Sequence, residues 1–217
     1  MYKTVVFDLD GTLLNTLTDL ADAGNRLCRK YGWPTHERLA YRYFVGNGIP
    51  KLVERLAPAD QRTPAVLEAA LADFKRDYGQ HLRDTTAPYP GIPEMLAKLK
   101  ANGVQLAVFS NKADALAKEV VKDYFGTQYF TIVRGQMTGV APKPAAEGTN
   151  ALLQALHADP ASTLYVGDSN VDVETAHNAN LPCCGAVWGF RTREELNAAG
   201  AEYLAENSDE LYDVIMK

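Results

Sequence analysis

The sequence predicts an α/β fold, a doubly wound parallel sheet with an inserted α-helical cap subdomain. Short β-rich runs alternate with amphipathic segments along most of the chain, the βαβ pattern of a parallel sheet. Several of these runs are apolar almost throughout, as strands covered on both faces must be. One interval, residues 16 to 86, breaks the alternation with helical pattern alone.

Taken in order, the first run is KTVVFDL (3–9). The helical interval follows, with apolar spacing at Leu20, Ala23, Leu27 and Tyr31 and continuing through GNGIPKLVERLAP (46–58) and PAVLEAALADFKRDYGQHL (64–82). The turn-rich TTAPYPG (85–91) returns the chain to alternation, and GIPEMLAKLKANG (91–103) forms a helix. The strands VQLAVFS (104–110), YFTIV (129–133), TLYVGD (163–168) and CGAVWG (184–189) complete the sheet, with SNVDVETAHNAN (169–180) as a helix between the last two. The expected division is a core of residues 1–15 and 87–217 with a cap of residues 16–86. A cap inserted directly after strand one overlies the carboxyl edge of the sheet, where doubly wound folds bind ligands.

The 217 residues are 47% hydrophobic and 23% charged, ordinary for a globular protein. A net charge of −5 speaks against nucleic acid or an anionic membrane as partner, since both favour basic patches. No apolar run approaches the roughly 20 residues of a membrane helix, and Met1 leads into a strand without a secretory pattern. Cys28, Cys183 and Cys184 have no disulfide-framework spacing and read as packing residues. The expectation is a cytoplasmic protein.

The chemistry gathers at the strand ends. Strand one closes in Asp8-Leu9-Asp10-Gly11-Thr12, strand two in Ser110-Asn111, and the strand at 163–168 in Gly167-Asp168-Ser169, with Asp172 four residues beyond Asp168. Two carboxylates on an unbroken apolar strand need compensation. A hard divalent cation such as Mg²⁺ supplies it, with Asp8 and Asp168 as the carboxylate ligands. If Asp8 attacks phosphorus, an aspartyl-phosphate results. Asp10, two residues on in extended backbone, can face the same side and serve as acid and then base. Lys143, between Pro142 and Pro144 and just before a helix, can neutralise phosphate charge. Taken singly, Asp168, Asp172 and Ser110-Asn111 are also good helix caps, the last for KADALAKEVVKDY (112–124).

DLDGTLLNT (8–16), Ser110-Asn111, Lys143 and GDSNVD (167–172) occur in the order of the four motifs of the haloacid-dehalogenase-like phosphohydrolases, which the whole chain resembles. The resemblance implies a Rossmann-like core with a helical cap of the C1 type. It implies Asp8 as nucleophile and Mg²⁺ ligand, Asp10 as acid/base with its carbonyl on the metal, and Asp168 as the remaining ligand. Thr12 and Asp172 stand behind these, Asp172 in the outer shell or bracing Lys143. Ser110, Asn111 and Lys143 hold the phosphoryl oxygens. Asn15 departs from the family, where many relatives carry a second Asp.

Within the family the chain looks most like the phosphoglycolate phosphatases. YRYFVGNGIPKLVERLAP (41–58) resembles their substrate loop, and WGF (188–190) lies where they carry a Gly-aromatic segment. The implied activity is hydrolysis of a small phosphate ester such as 2-phosphoglycolate, with Arg42, Asn47 and Lys51 as cap residues toward the substrate. A β-phosphoglucomutase-like mutase, a pyrophosphatase and a non-catalytic binding module are the alternatives.

Overall fold

The computed structural model describes residues 1–217. The elements run β1 (Thr4–Phe7), β2 (Leu14–Asn15), α1 (Leu17–Tyr31), α2 (Tyr41–Phe44), α3 (Ile49–Leu56), α4 (Pro64–His81) and β3 (Ala87–Pro88). Then follow α5 (Ile92–Ala101), β4 (Gln105–Ala113), α6 (Asp114–Phe125), β5 (Phe130–Gln136), α7 (Ala146–Leu156) and β6 (Thr163–Gly167). The chain closes with α8 (Asn170–Asn178), β7 (Cys183–Ala186), α9 (Arg193–Ala199), β8 (Tyr203–Ala205) and α10 (Ser208–Met216).

Two compact units result: Met1–Leu14 with Pro88–Lys217, and Asn15–Ala87. The two crossings between them are β2 and β3, which pair as a two-stranded sheet. In the larger unit six strands lie in the order β5-β4-β1-β6-β7-β8, and every neighbouring pair is parallel. Strand order reverses direction beside β1, so the ends of β1, β4 and β6 border the crevice where such sheets take ligands.

Strand periodicity sorts the core. Val6, Ala107, Phe109, Tyr165 and Cys183 share one face with Leu152 and Leu156 of α7, Val173 of α8 and Leu196 of α9. On the other face Phe7 meets Phe130 edge-on, and Phe130 meets Phe125 of α6. The three cysteines are buried and free.

The pair β2 and β3 is unexpected, β7 is Cys183–Ala186 where 184–189 is the expected span, and two further elements differ. The second core strand does not stop at Ser110-Asn111 but continues to Ala113, and α6 starts at Asp114 without a side-chain cap. Pairing with β5 shifts register after Phe109 and resumes at Ala113 opposite Gln136. Gly135 permits this, because a Cβ there would lie 2.4 Å from the Lys112 carbonyl oxygen, and its N–H donates to Asp114 Oδ1 at 3.0 Å. Second, β8 is a strand that three residues were too short to announce.

The smaller unit is helical. Gly32 ends α1 in the left-handed conformation and donates back to the last carbonyls, and Thr63 caps α4 ahead of Pro64. Its start and finish are tied at Asp19, which is 2% exposed. The Asp19 carboxylate accepts from the backbone N–H of Thr85 and Thr86 and from both hydroxyls, at 2.9, 2.9, 2.5 and 2.7 Å. No helix of the chain is long and apolar enough to cross a membrane.

Candidate active site

Three of the strand ends meet. Past β1 the Asp8 N–H still donates to Val166 of β6 at 2.8 Å, so Asp8 keeps strand geometry and its side chain stays buried. The backbone then turns tightly, with the amides of Leu13 and Leu14 donating to the Leu9 carbonyl and Gly11 at φ +93°. This turn brings Thr12 back to β6, where its hydroxyl donates to Asp168 Oδ1 at 3.0 Å. The Phe190 N–H donates to Asp168 Oδ2 at 2.8 Å, which is the work of the WGF segment. Trp188 adds a bond from its indole N–H to the Thr12 carbonyl at 3.0 Å.

Asp168 is packed as tightly as it is bonded. A Cβ at Gly11 would lie 2.4 Å from Asp168 Oδ2, and one at Gly189 would lie 2.2 Å from Asp168 Cβ. Two glycines therefore leave the room that the carboxylate fills.

Oxygens of Asp8, Asp168 and Asp172 lie within 4.8 Å of one another. Asp172 also closes a capping box at the start of α8, its Oδ2 accepting from the Ser169 N–H at 3.1 Å and hydroxyl at 2.7 Å. Its Oδ1 accepts from Lys143 Nζ at 2.7 Å. The cap reading and the bracing of Lys143 are thus one residue's two oxygens.

Lys143 is 3% exposed, and its Nζ stands 2.8 Å from Asp8 Oδ1 and within 3.3 Å of the Phe109 carbonyl and Tyr165 hydroxyl. Burial works against its charge, but Asp172, Asp8 and Tyr165 outweigh that and hold the ammonium charged. Burial pushes the Asp8 carboxyl up to about 7, with Lys143 opposing and Asp172 adding to the rise. Asp168 is raised well above the carboxylate range, by burial first and then by its acidic neighbours.

Asn111, expected to help hold the phosphoryl oxygens, turns its side chain to the Lys143 backbone. Its Oδ1 accepts from the Lys143 N–H at 2.8 Å and its Nδ2 donates to the Lys143 carbonyl at 3.2 Å, so the amide is a brace for the lysine. Ser110 is buried beside it, and its Oγ accepts from the Lys112 N–H at 3.2 Å.

Asp10 stands apart from the three-carboxylate cluster. Lys112, which sequence reasoning missed, donates to both of its oxygens, at 2.9 and 3.1 Å. In the sequence a Lys after Ser-Asn looks like the first turn of a helix, and only its place on an apolar strand run signals burial.

Within the helical unit, Arg42 is half-buried on α2. Asn47 Oδ1 accepts from Arg55 Nη2 at 2.8 Å, while Arg55 Nη1 donates to the Phe44 carbonyl at 2.8 Å, so Arg55 fastens the loop between α2 and α3. Lys51 pairs with Glu54 at 2.8 Å on an exposed surface.

The residues of the core fit a divalent cation. With all four ionised, the carboxylates Asp8, Asp10, Asp168 and Asp172 set against two ammonium groups, Lys112 and Lys143, would leave two negative charges for a cation to balance. Asp8 Oδ1 is buried without an aligned hydrogen-bond donor, although Lys143 is near enough for an ion pair. An all-oxygen donor set suits Mg²⁺.

Fold and site together define an α/β protein with a buried cluster of carboxylates and lysines at a sheet's carboxyl edge, one that could hold a metal ion. The haloacid dehalogenase-like hydrolase family model matches residues 5–186, and the chain belongs to that family. It is 31% identical to a phosphoglycolate phosphatase of Vibrio vulnificus (strain YJ016), covering 99% of this chain and 96% of the relative. A solved structure from Lactobacillus delbrueckii subsp. bulgaricus superposes with a TM-score of 0.93 at 28% identity, covering 99% of this chain and 98% of the other. A predicted phosphoglycolate phosphatase from Haemophilus somnus 129pt gives 0.89 at 25% identity, with 98% and 97% covered.

Proposed function

We propose that this hydrolase is a Mg²⁺-dependent phosphomonoesterase acting on a small phosphorylated metabolite, 2-phosphoglycolate. The observation that carries the chemistry is Asp8: a buried carboxylate at a strand tip, one oxygen without a hydrogen-bond donor, ion-paired to a buried lysine. The 31% identity to a phosphoglycolate phosphatase over nearly the full length supports the substrate.

In the proposed reaction Asp8 attacks phosphorus, forming an O–P bond as the ester oxygen leaves with a proton from Asp10. Water then gives a proton to Asp10 and attacks the aspartyl-phosphate, releasing inorganic phosphate and restoring both carboxyl groups. Lys143 and the Ser110 hydroxyl neutralise and orient the phosphoryl oxygens, where most of the catalytic effect of such sites arises. Asn111 and Asp172 hold Lys143 in place, and Thr12 holds Asp168. Asp8, Asp168 and the Asp10 backbone carbonyl would hold Mg²⁺, which would supply further positive charge toward the phosphoryl group. Arg42 and Asn47 are the proposed cap contacts to the glycolate end.

The test is phosphate release from 2-phosphoglycolate, hexose phosphates, nucleotides and pyrophosphate, with Mg²⁺ or EDTA, and Asp8→Asn as the blank. Metal-dependent release with preference for phosphoglycolate is the expected result. Turnover by Asp8→Asn overturns the nucleophile, and preference for another ester overturns the substrate.

A further inference from the structure

We infer that Lys112 is a positioning residue for the leaving-group step, holding the Asp10 carboxylate where it meets the ester oxygen. The inference rests on the proposed phosphatase chemistry and extends it to a side chain outside the phosphate-binding set.

Lys112 Nζ contacts both Asp10 oxygens, and the side chains are 3% and 15% exposed. Sequestered from water, this ion pair escapes most of the screening that makes exposed pairs nearly worthless. Two contacts from one ammonium fix the carboxylate's direction as well as its position. Each oxygen keeps a second lone pair, so the carboxyl group can still exchange a proton with the substrate.

The arrangement is built in, because it uses the unexpected extension of β4. The extension passes Gly135, where a side chain would strike the Lys112 carbonyl oxygen. Lys112 is also anchored through its N–H to Ser110 Oγ. The two lysines divide the acids between them: Lys143 reaches Asp8 and Asp172, and Lys112 reaches Asp10.

The role predicts dependence on the leaving group. An alkoxide must be protonated as it departs, whereas p-nitrophenolate leaves without help. In Lys112→Met, kcat/KM on 2-phosphoglycolate should fall about 30-fold or more, a part of the roughly 100- to 10,000-fold that general acid catalysis supplies. On p-nitrophenyl phosphate kcat/KM should change by less than about threefold, with a burst near one equivalent of p-nitrophenol, since only the later hydrolysis still needs Asp10. In the Asp10→Asn background, Lys112→Met should add less than about twofold, because a residue acting through another shows coupling of this kind.

Lys112→Gln provides a second variant should the Met form fold poorly, with circular dichroism confirming the fold of each protein assayed. Equal losses on both esters without a burst overturn the inference. So does a Lys112 effect that persists in full without the Asp10 carboxylate. If the wild-type enzyme releases phosphate from neither ester, the phosphatase proposal itself falls, a result separate from either of these.

Discussion

Asn111 grips the backbone of Lys143 at both ends, its amide oxygen taking the N–H at 2.8 Å and its amide nitrogen giving to the carbonyl at 3.2 Å. The lysine's two neighbouring prolines have no N–H to donate, so the segment has few local ways to hold itself. Asn111→Ala leaves a buried N–H and carbonyl unpaired, at a cost of about 2 to 3 kcal/mol. Urea unfolding should show that loss, and kcat should fall with the looser Lys143. Asn111→Asp can still accept from the N–H but sets an anion against the carbonyl, so it should be no better than Ala. A variant at wild-type stability and rate would rule out the brace.

The sequence exposed those residues whose own neighbourhood is odd. Asp8 and Asp10 stand out because they end an apolar strand, and Lys143 because prolines flank it. The braces are silent in sequence, because their partners are distant: Asn111 serves a residue 32 positions on. Asp19 resembles any first-turn helix acid, yet its partners lie 66 and 67 positions away. Lys112 was hidden by a different cause, the register shift that turns an apparent helix start into strand.

Asp19 therefore carries a stability prediction. Its carboxylate satisfies two backbone amides and two hydroxyls at the point where the helical unit begins and ends. Asp19→Ala should lower unfolding stability by about 3 kcal/mol, as loss of a buried charged acceptor does. Asp19→Asn should recover part of this, since one amide oxygen still accepts. Chemical denaturation of both variants checks the order.

Gly189→Ala separates packing at the site from packing at large. Its new methyl would lie 2.2 Å from Asp168 Cβ and 2.6 Å from the Gly11 carbonyl oxygen, and neither is a yielding side-chain tip. Asp168 must shift, and a 1 Å misplacement can cost about 100-fold in rate. Activity should drop by about that factor, with metal affinity falling in parallel. Undiminished turnover would show that the Asp168 position is not critical.

The cysteines should be inert in the folded protein. Burial pushes the Cys28 thiol up to about 11 and Cys184 to about 12, and Cys183 well above its ordinary value. Only the thiolate reacts readily. An aromatic disulfide reagent at about pH 8 should therefore label none until denaturant is added, then all three. Rapid labelling of the native protein would contradict the packing of α1 at Cys28 or of β7 at Cys183 and Cys184.

The last prediction joins pH to metal. In the metal-free protein Asp8 titrates at about 7 instead of 3.8, so between those values the native state holds a proton that the unfolded chain has lost. Its contribution to stability therefore falls as pH rises through that window, and Asp168 acts in the same direction. Mg²⁺ competes with those protons, so its affinity should rise as pH rises through about 7. Thermal unfolding in Mg²⁺ or EDTA measures this directly, since a ligand at 100 times its Kd stabilises by about 2.7 kcal/mol. The Mg²⁺-induced rise in Tm should be larger at about pH 7.5 than at about pH 5.5, and should shrink sharply in Asp168→Asn. A rise of equal size at both pH values, unchanged in the variant, would mean that the cation binds away from these carboxylates.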